Sequence, residues 1–142
     1  MSFAVTTTIK GVDNVMKKLD ALADLSGVKK AIQAGALMIE SDAKQSVQQG
    51  GTGRVYRHHG IAHTASSPGD PPATDTGALV SSIQHWTSED GLSVAVGSRL
   101  EYAAYDEFGT RYMEPRPFIH PALDKNREQI VANIKAAIPG AK

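Results

Sequence analysis

The stretch DTGALVSSIQHWTSEDGLSVAV, residues 75–96, decides the fold class. Asp75 offers an N-cap for a short helical turn from Gly77 through Ser82, because a carboxylate just ahead of a helix can accept from its free N–H groups. From Ile83 to Ser88 apolar and polar residues then alternate, the period of a strand with one buried face. Glu89, Asp90 and Gly91 make a turn in which Gly is free to take positive φ, and Leu92, Val94 and Val96 alternate on the return strand. This predicts a β-hairpin entered directly from a helical turn.

Helical patterns flank the hairpin on both sides. Val15, Met16, Leu19, Leu22 and Ala23 recur at three- and four-residue steps after a candidate cap at Asp13, with Lys17, Lys18, Asp20 and Asp24 on the outer face. Ser26 and Gly27 interrupt that helix. A longer one then runs through Val28, Ile32, Gly35, Ile39, Ala43 and Val47, with Gly35 and Ala36 small enough to admit another backbone. Downstream, Pro115, Pro117 and Pro121 fix φ along an extended approach, and Pro121 suits the first turn of a helix. Leu123, Ile130, Ile134 and Ile138 form one face of that helix, which Pro139 and Gly140 stop. At the amino end Phe3, Val5, Thr7 and Ile9 alternate with Ala4, Thr6 and Thr8, the pattern of a half-buried strand ended by Gly11. Together these elements predict an α+β fold: a small, mostly antiparallel sheet packed by helices on one side.

Two segments lack a period. Residues 48–74 hold five Gly, three Pro and three His, and a patternless connection of that size within a domain is usually functional or disordered. It is expected to be a flexible, protruding arm within a single domain spanning 1–142, with the glycines at 50, 51 and 53 as its hinge. Gly97 to Thr110 is mixed and aromatic, carrying Tyr102, Tyr105 and Phe108 beside Glu101, Asp106 and Glu107. These aromatics, with Phe118, are expected in the core more than at an interface.

Composition narrows the function classes. The 142 residues carry 15 Lys plus Arg against 15 Asp plus Glu, so the net charge is zero and strongly basic binders of nucleic acid or anionic membrane are disfavoured. Apolar residues make up 41% and no Cys is present, which removes thiol nucleophiles, zinc ribbons, iron–sulfur sites and disulfides. No window approaches the roughly 18 apolar residues of a membrane span, and the chain is expected to be made soluble and uncleaved in the cytoplasm.

No catalytic constellation emerges. His58, His59 and His63 with Asp70 are the sole metal-like cluster, and the i, i+4 pair at His59 and His63 lacks both helical periodicity and the carboxylate of an HExxH motif. Solvated loop histidines are the simpler reading; the alternative is a small metal-dependent hydrolase or nucleic-acid-processing enzyme using this loop. Glu101, Asp106 and Glu107 show no asymmetry that would split their pKa values for acid/base work, so a solvated or salt-bridged group is expected. Ser66, Ser67, Ser81 and Ser82 sit in no GxSxG elbow. Arg54, Tyr56 and Arg57 interleave base and aromatic, a weak nucleic-acid footprint in a neutral chain.

Two strings nonetheless stand out. One is Ser67-Pro68-Gly69-Asp70-Pro71-Pro72-Ala73, then Asp75-Thr76-Gly77-Ala78-Leu79 and Ser82-Ile83; the other is Val96-Gly97, Tyr102-Ala103, Glu107-Phe108-Gly109-Thr110, Pro115-Arg116-Pro117-Phe118 and Pro121-Ala122-Leu123. In order and spacing, from about His63 to Leu123, they resemble the head-to-tail joining proteins of long-tailed bacteriophages, the neck, tail-completion or minor tail-component proteins of the HK97 type. The resemblance implies a small α+β virion protein without enzymatic activity or cofactor. It would self-associate into a ring at the head–tail junction, contact the head adaptor and tail proteins, and let DNA pass without sequence-specific binding. It also implies interaction or structural roles for Arg54, Tyr56, Gly77, Leu79, Ser82, Tyr102, Glu107, Phe108, Gly109, Thr110, Pro117, Phe118 and Pro121. Within it Gly77 relieves the backbone at the loop-to-helix junction, Leu79 fills the core, Gly109 permits a turn after Phe108, and Pro117 with Phe118 orders an apolar anchor. Residues 48–74 correspond to the family's arm. Val80 departs from the pattern, standing where a polar or basic residue is frequent.

Overall fold

The computed structural model describes residues 12–140. The elements run α1 (Val12–Ala23), α2 (Ser26–Gln48), β1 (Val55–His58), β2 (Ile61–Thr64), α3 (Ala78–Ser82), β3 (Ile83–Thr87), β4 (Val94–Ser98), α4 (Glu101–Phe108) and α5 (Ile119–Ala137). The strand expected over Phe3–Ile9 lies outside the described residues. The α+β class holds, but the described strands form two separate antiparallel ribbons, β1–β2 and β3–β4, where a single sheet was expected.

The framework is α2, about 35 Å long at ~1.5 Å per residue. Just ahead of it, Asp24 Oδ1 accepts the N–H of Ser26, the first residue of α2, at 3.0 Å. Gly35 is buried and lies so close to α5 that a Cβ there would stand 2.9 Å from Ile130 Cγ2, so the small residue sets the helix–helix approach. Asp42 ties the two helices again, accepting from Asn126 Nδ2 at 2.6 Å and pairing with Lys125 at 3.1 Å. These partners, Asn126 first, hold the Asp42 carboxyl below its ordinary range.

The β3–β4 ribbon lies on α2 in the register Ile83↔Ser98, His85↔Val96 and Thr87↔Val94. Beneath it His85 Nδ1 meets Glu40 at 2.5 Å, and this contact, then Lys44, lowers the Glu40 pKa. Ala43, Val47, Leu79, Ile83, Ala103, Phe118 and Ala122 make the core, contributed by α2, α3, the ribbon's first residue, α4, the residue before α5, and α5. Leu79 is buried among them. The Ile130, Ile134 and Ile138 stripe does not reach that depth: the first two are half-buried and Ile138 is exposed. Val15, Met16, Leu19 and Leu22, the apolar face of α1, are each more than half exposed.

Two further expectations are corrected. Asp75 does not cap α3: Thr74 Oγ1 accepts the Gly77 N–H at 3.0 Å, and Gly77 itself sits at the cap with φ 78°. That conformation is open to Gly at no steric cost. The patternless run 48–74 contains the β1–β2 hairpin, whose turn residues His59 and Gly60 both have positive φ, as a type I′ two-residue turn requires. Its glycine run is no simple hinge: a Cβ on Gly51 would lie 2.0 Å from the Thr64 carbonyl oxygen, so Gly51 is there because two backbones touch. The hairpin was hidden because its strands are four residues each and bury no face of β1.

Candidate functional site

The strings Glu107-Phe108-Gly109-Thr110 and Pro115-Arg116-Pro117-Phe118 meet at one corner. α4 ends at Phe108, and Gly109 turns the chain at φ 72°. A Cβ on Gly109 would stand 2.8 Å from the Met113 carbonyl oxygen and 2.9 Å from Pro115, so both conformation and space demand Gly. Thr110 and Met113 then exchange backbone hydrogen bonds of 2.8 and 3.2 Å, and Thr110 Oγ1 accepts the Tyr112 N–H at 3.2 Å. The chain returns alongside α4, where the Arg116 N–H donates to the Asp106 carbonyl at 2.6 Å.

That return brings the first residues of α5 under the Glu107 carboxylate. Its two oxygens accept from Phe118 N at 2.9 Å, Ile119 N at 3.0 Å and His120 N at 2.8 Å. The first N–H groups of a helix have no partner within it, and a negative charge is favoured there by the helix dipole. Glu107 is therefore an N-cap delivered from another helix, and the solvated or salt-bridged role expected for it is corrected. Phe118, held immediately behind this cap, is 1% exposed and anchors the core. Pro117 is half-buried beside it and Pro121 occupies the first turn of α5 with its ring exposed.

With its inner side fixed, the corner presents aromatics outward. Tyr102, Tyr105, Phe108 and Tyr112 are 45%, 47%, 77% and 83% exposed. The core position expected for this group holds for Phe118 alone. α4 was illegible because one residue of it, Ala103, is buried, so no apolar stripe repeats along it. Tyr112 was not singled out in the sequence, and no local signal marks it; its exposure follows from the turn at 110–113.

The remaining residues fall into two places. Ser82 Oγ donates to the Leu79 carbonyl at 2.7 Å and meets Ser98 Oγ at 2.7 Å, while Ser98 Oγ accepts from the Leu100 N–H at 3.0 Å. Ser82 thus ties the end of α3 to the end of β4, a structural part. Arg54 and Tyr56 lie on the arm, exposed, with the guanidinium 5.6 Å from the ring centre, and Val55 and Ile61 beside them are 57% and 72% exposed.

The metal-like cluster does not converge. His58 and His59 stack edge to face near the arm's tip, His63 lies 3.9 Å from Asp75, and Asp70 accepts from Thr52 at 2.5 Å. Among the described residues no three His, Asp or Glu side chains are grouped to hold a metal ion. A polar cleft of about 220 Å³ between the arm's base and α4 is lined by His63, Ser66, Asp75, Tyr102, Asp106 and Arg116. Burial raises the Asp106 pKa against the pull of the Arg116 charge. Among the described residues the buried Ser66 Oγ has no hydrogen-bond partner. No helix among the described residues is long and apolar enough to cross a membrane.

Against known proteins, residues 12–109 match the family model HK97-gp10_like, described as "Bacteriophage HK97-gp10, putative tail-component". No curated protein and no solved structure matches the chain. The matched span takes in α1 through α4 and closes on Gly109; the Pro117–Phe118 anchor and α5 follow it.

Proposed function

Since the chain belongs to the HK97-gp10-like family of bacteriophage tail components, we propose that this structural phage protein joins head to tail as one subunit of a neck or tail-completion ring. It acts as one domain, with residues 48–74 as an arm reaching the next subunit. The observation that carries this reading is the pair of unlike exposed surfaces on one chain. The aromatic corner offers Tyr102, Tyr105, Phe108 and Tyr112 from α4 and the turn after it, and the arm offers Val55, Tyr56 and Ile61 from the β1–β2 hairpin. A contact between two different patches is heterologous, and heterologous contacts close into rings when the rotation allows. Exposed apolar patches of this kind mark interaction sites.

Further contacts in the particle are with the head adaptor and the tail proteins, and the chain's zero net charge suits a conduit that lets DNA pass without holding it. The protein is synthesised in the bacterial host and resides at the head–tail junction of the virion. Catalysis has no part in this reading: the histidines of the hydrolase alternative face different partners, and no observation favours that alternative.

The test is electron microscopy of lysates from a phage carrying a stop codon early in this gene. Full heads and finished tails lying apart are expected. Normally joined virions would overturn the assignment. Removal of residues 54–64 from the intact gene should give the same phenotype with a folded protein, and infectious particles from that deletion would deny the arm its role.

A further inference from the structure

The two sides of α4 have different neighbours. Tyr102 and Asp106, one helical turn apart, border the polar cleft that His63 lines from the base of the arm. At ~3.6 residues per turn, Ala103, Ala104, Glu107 and Phe108 lie on the roughly opposite side, where they border a mostly apolar hollow of about 300 Å³ with Ile119 and Leu123. Glu107 and Phe108 also border a second hollow, of about 580 Å³, with Pro117, His120, Pro121 and Asp124. The two hollows share Glu107, Phe108 and His120 and so form one groove between α4 and the start of α5. Phe108, 77% exposed, stands between them.

We propose that this groove receives the β1–β2 arm of a second copy of the chain, with Ile61 seated against Phe108 and Pro121 and His58 turned toward Asp124. This rests on the ring reading above and names the site at which the arm reaches the next subunit. Shape agrees first. In the arm's register Tyr56 pairs with His63 and His58 with Ile61, so these four side chains share one face of the ribbon. Ile61 and Tyr56, 72% and 52% exposed, are diagonal neighbours on that face, ~7–8 Å apart. A hollow of about 580 Å³ has room for both. Charge agrees next. Residues 54–64 carry Arg54, Arg57, His58, His59 and His63 and no Asp or Glu. The larger hollow is bordered by Glu107 and by Asp124, whose side chain stays 56% exposed beside Arg127 at 3.1 Å. Opposite charge across a contact steers the encounter and fixes its register. Direction selects a second copy as the occupant: the base of the arm lies on one side of α4 and the groove on the other, so a chain's own arm would have to pass around the helix. An arm on one side and its receptor on the other make a head-to-tail contact, the kind that closes into rings.

Disulfide trapping in assembled particles tests this, because the chain itself has no Cys. Oxidised phage carrying Ile61→Cys with Pro121→Cys should yield, after denaturation without reductant, a ladder of covalent multiples of this chain. Ile61→Cys with Glu89→Cys, at the turn of the other hairpin, should yield none. Joined particles without the ladder, a disulfide closed within one chain, or a bond to a different virion protein would each overturn the groove while leaving the ring reading in place. Absence of the protein from the head–tail junction would overturn the ring reading, and this proposal with it. Phe108→Ser and Ile61→Ser change exposed positions and should leave Tm nearly unchanged. Each should cut the yield of joined particles at least roughly tenfold, and the double substitution no further than the worse single one, because both remove the same contact. Unaffected yields, or effects that multiply, would overturn the pairing. The trapping result stands even if Phe108→Ser fails to fold.

Discussion

The two β-hairpins of this molecule are near twins locally and opposites in context. β1–β2 and β3–β4 are both antiparallel, with four and five residues per strand, and each is turned by a positive-φ residue. The second lies on α2 with Ile83 1% exposed; β1 is exposed along its whole length. Hydrogen-bonded ladders alone make neither of them a core element. What separates them is the apolar area each removes from water, at roughly 25 cal/mol per Å², and this divides a chain that builds its own interior from one that keeps apolar surface for others.

The sharpest way to break that contrast is to hollow the buried side. Phe118→Ala should cost about 4 kcal/mol and Ile83→Ala about 3 kcal/mol, read as shifted urea midpoints at unchanged slope. A loss under about 1 kcal/mol at either would mean that the core centres elsewhere. Next in size is the corner that holds the aromatic strip. Glu107→Ala removes a charged acceptor from three N–H donors and should cost about 2 kcal/mol, with Glu107→Gln falling between. If the Gln variant matched wild type, the negative charge at the α5 terminus would contribute nothing. Gly109→Ala meets both a positive φ and the Met113 carbonyl, and should cost roughly 1–3 kcal/mol.

Acid offers a gentler probe of the buried hairpin. The folded pKa of Glu40 is depressed by His85 and that of Asp42 by Asn126, so their stabilisation is fully present above the unfolded carboxylate values and is lost as pH falls through the depressed ones. Unfolding free energy should therefore decline below about pH 4.5, and Glu40→Gln should flatten part of that decline. The smallest effect is expected on the arm. Ile61→Ser should change stability by no more than about 0.5 kcal/mol while lowering the yield of joined particles. A large stability loss there would erase the difference between the hairpins and count against the arm as an assembly element.

Much of the fold was legible in advance, for identifiable reasons. α2 and α5 announce themselves through apolar residues at helical spacing, and β3–β4 through alternation around Glu89-Asp90-Gly91, because burial on one face imposes a period on the sequence. Gly77 and Gly109 were readable because positive φ excludes most other residues. The arm's hairpin and α4 were not legible: β1 buries nothing and α4 buries Ala103 alone, so neither carries a period. The aromatic corner illustrates the same limit, since Tyr102, Tyr105 and Phe108 differ from Phe118 in nothing that composition records.

By itself the sequence determined the α+β class, the helices that carry a stripe, the turns that need glycine and, through the order of its motifs, the family. Tertiary structure alone decided that Glu107 caps α5 from across the corner, that Phe118 is the anchor while its aromatic neighbours face outward, and that Ser82 joins α3 to β4. The physical reason is range. Periodicity and φ preference act within a few residues and leave a local imprint, whereas a carboxylate reaching N–H groups 11 to 13 positions away is fixed only when the chain folds back on itself.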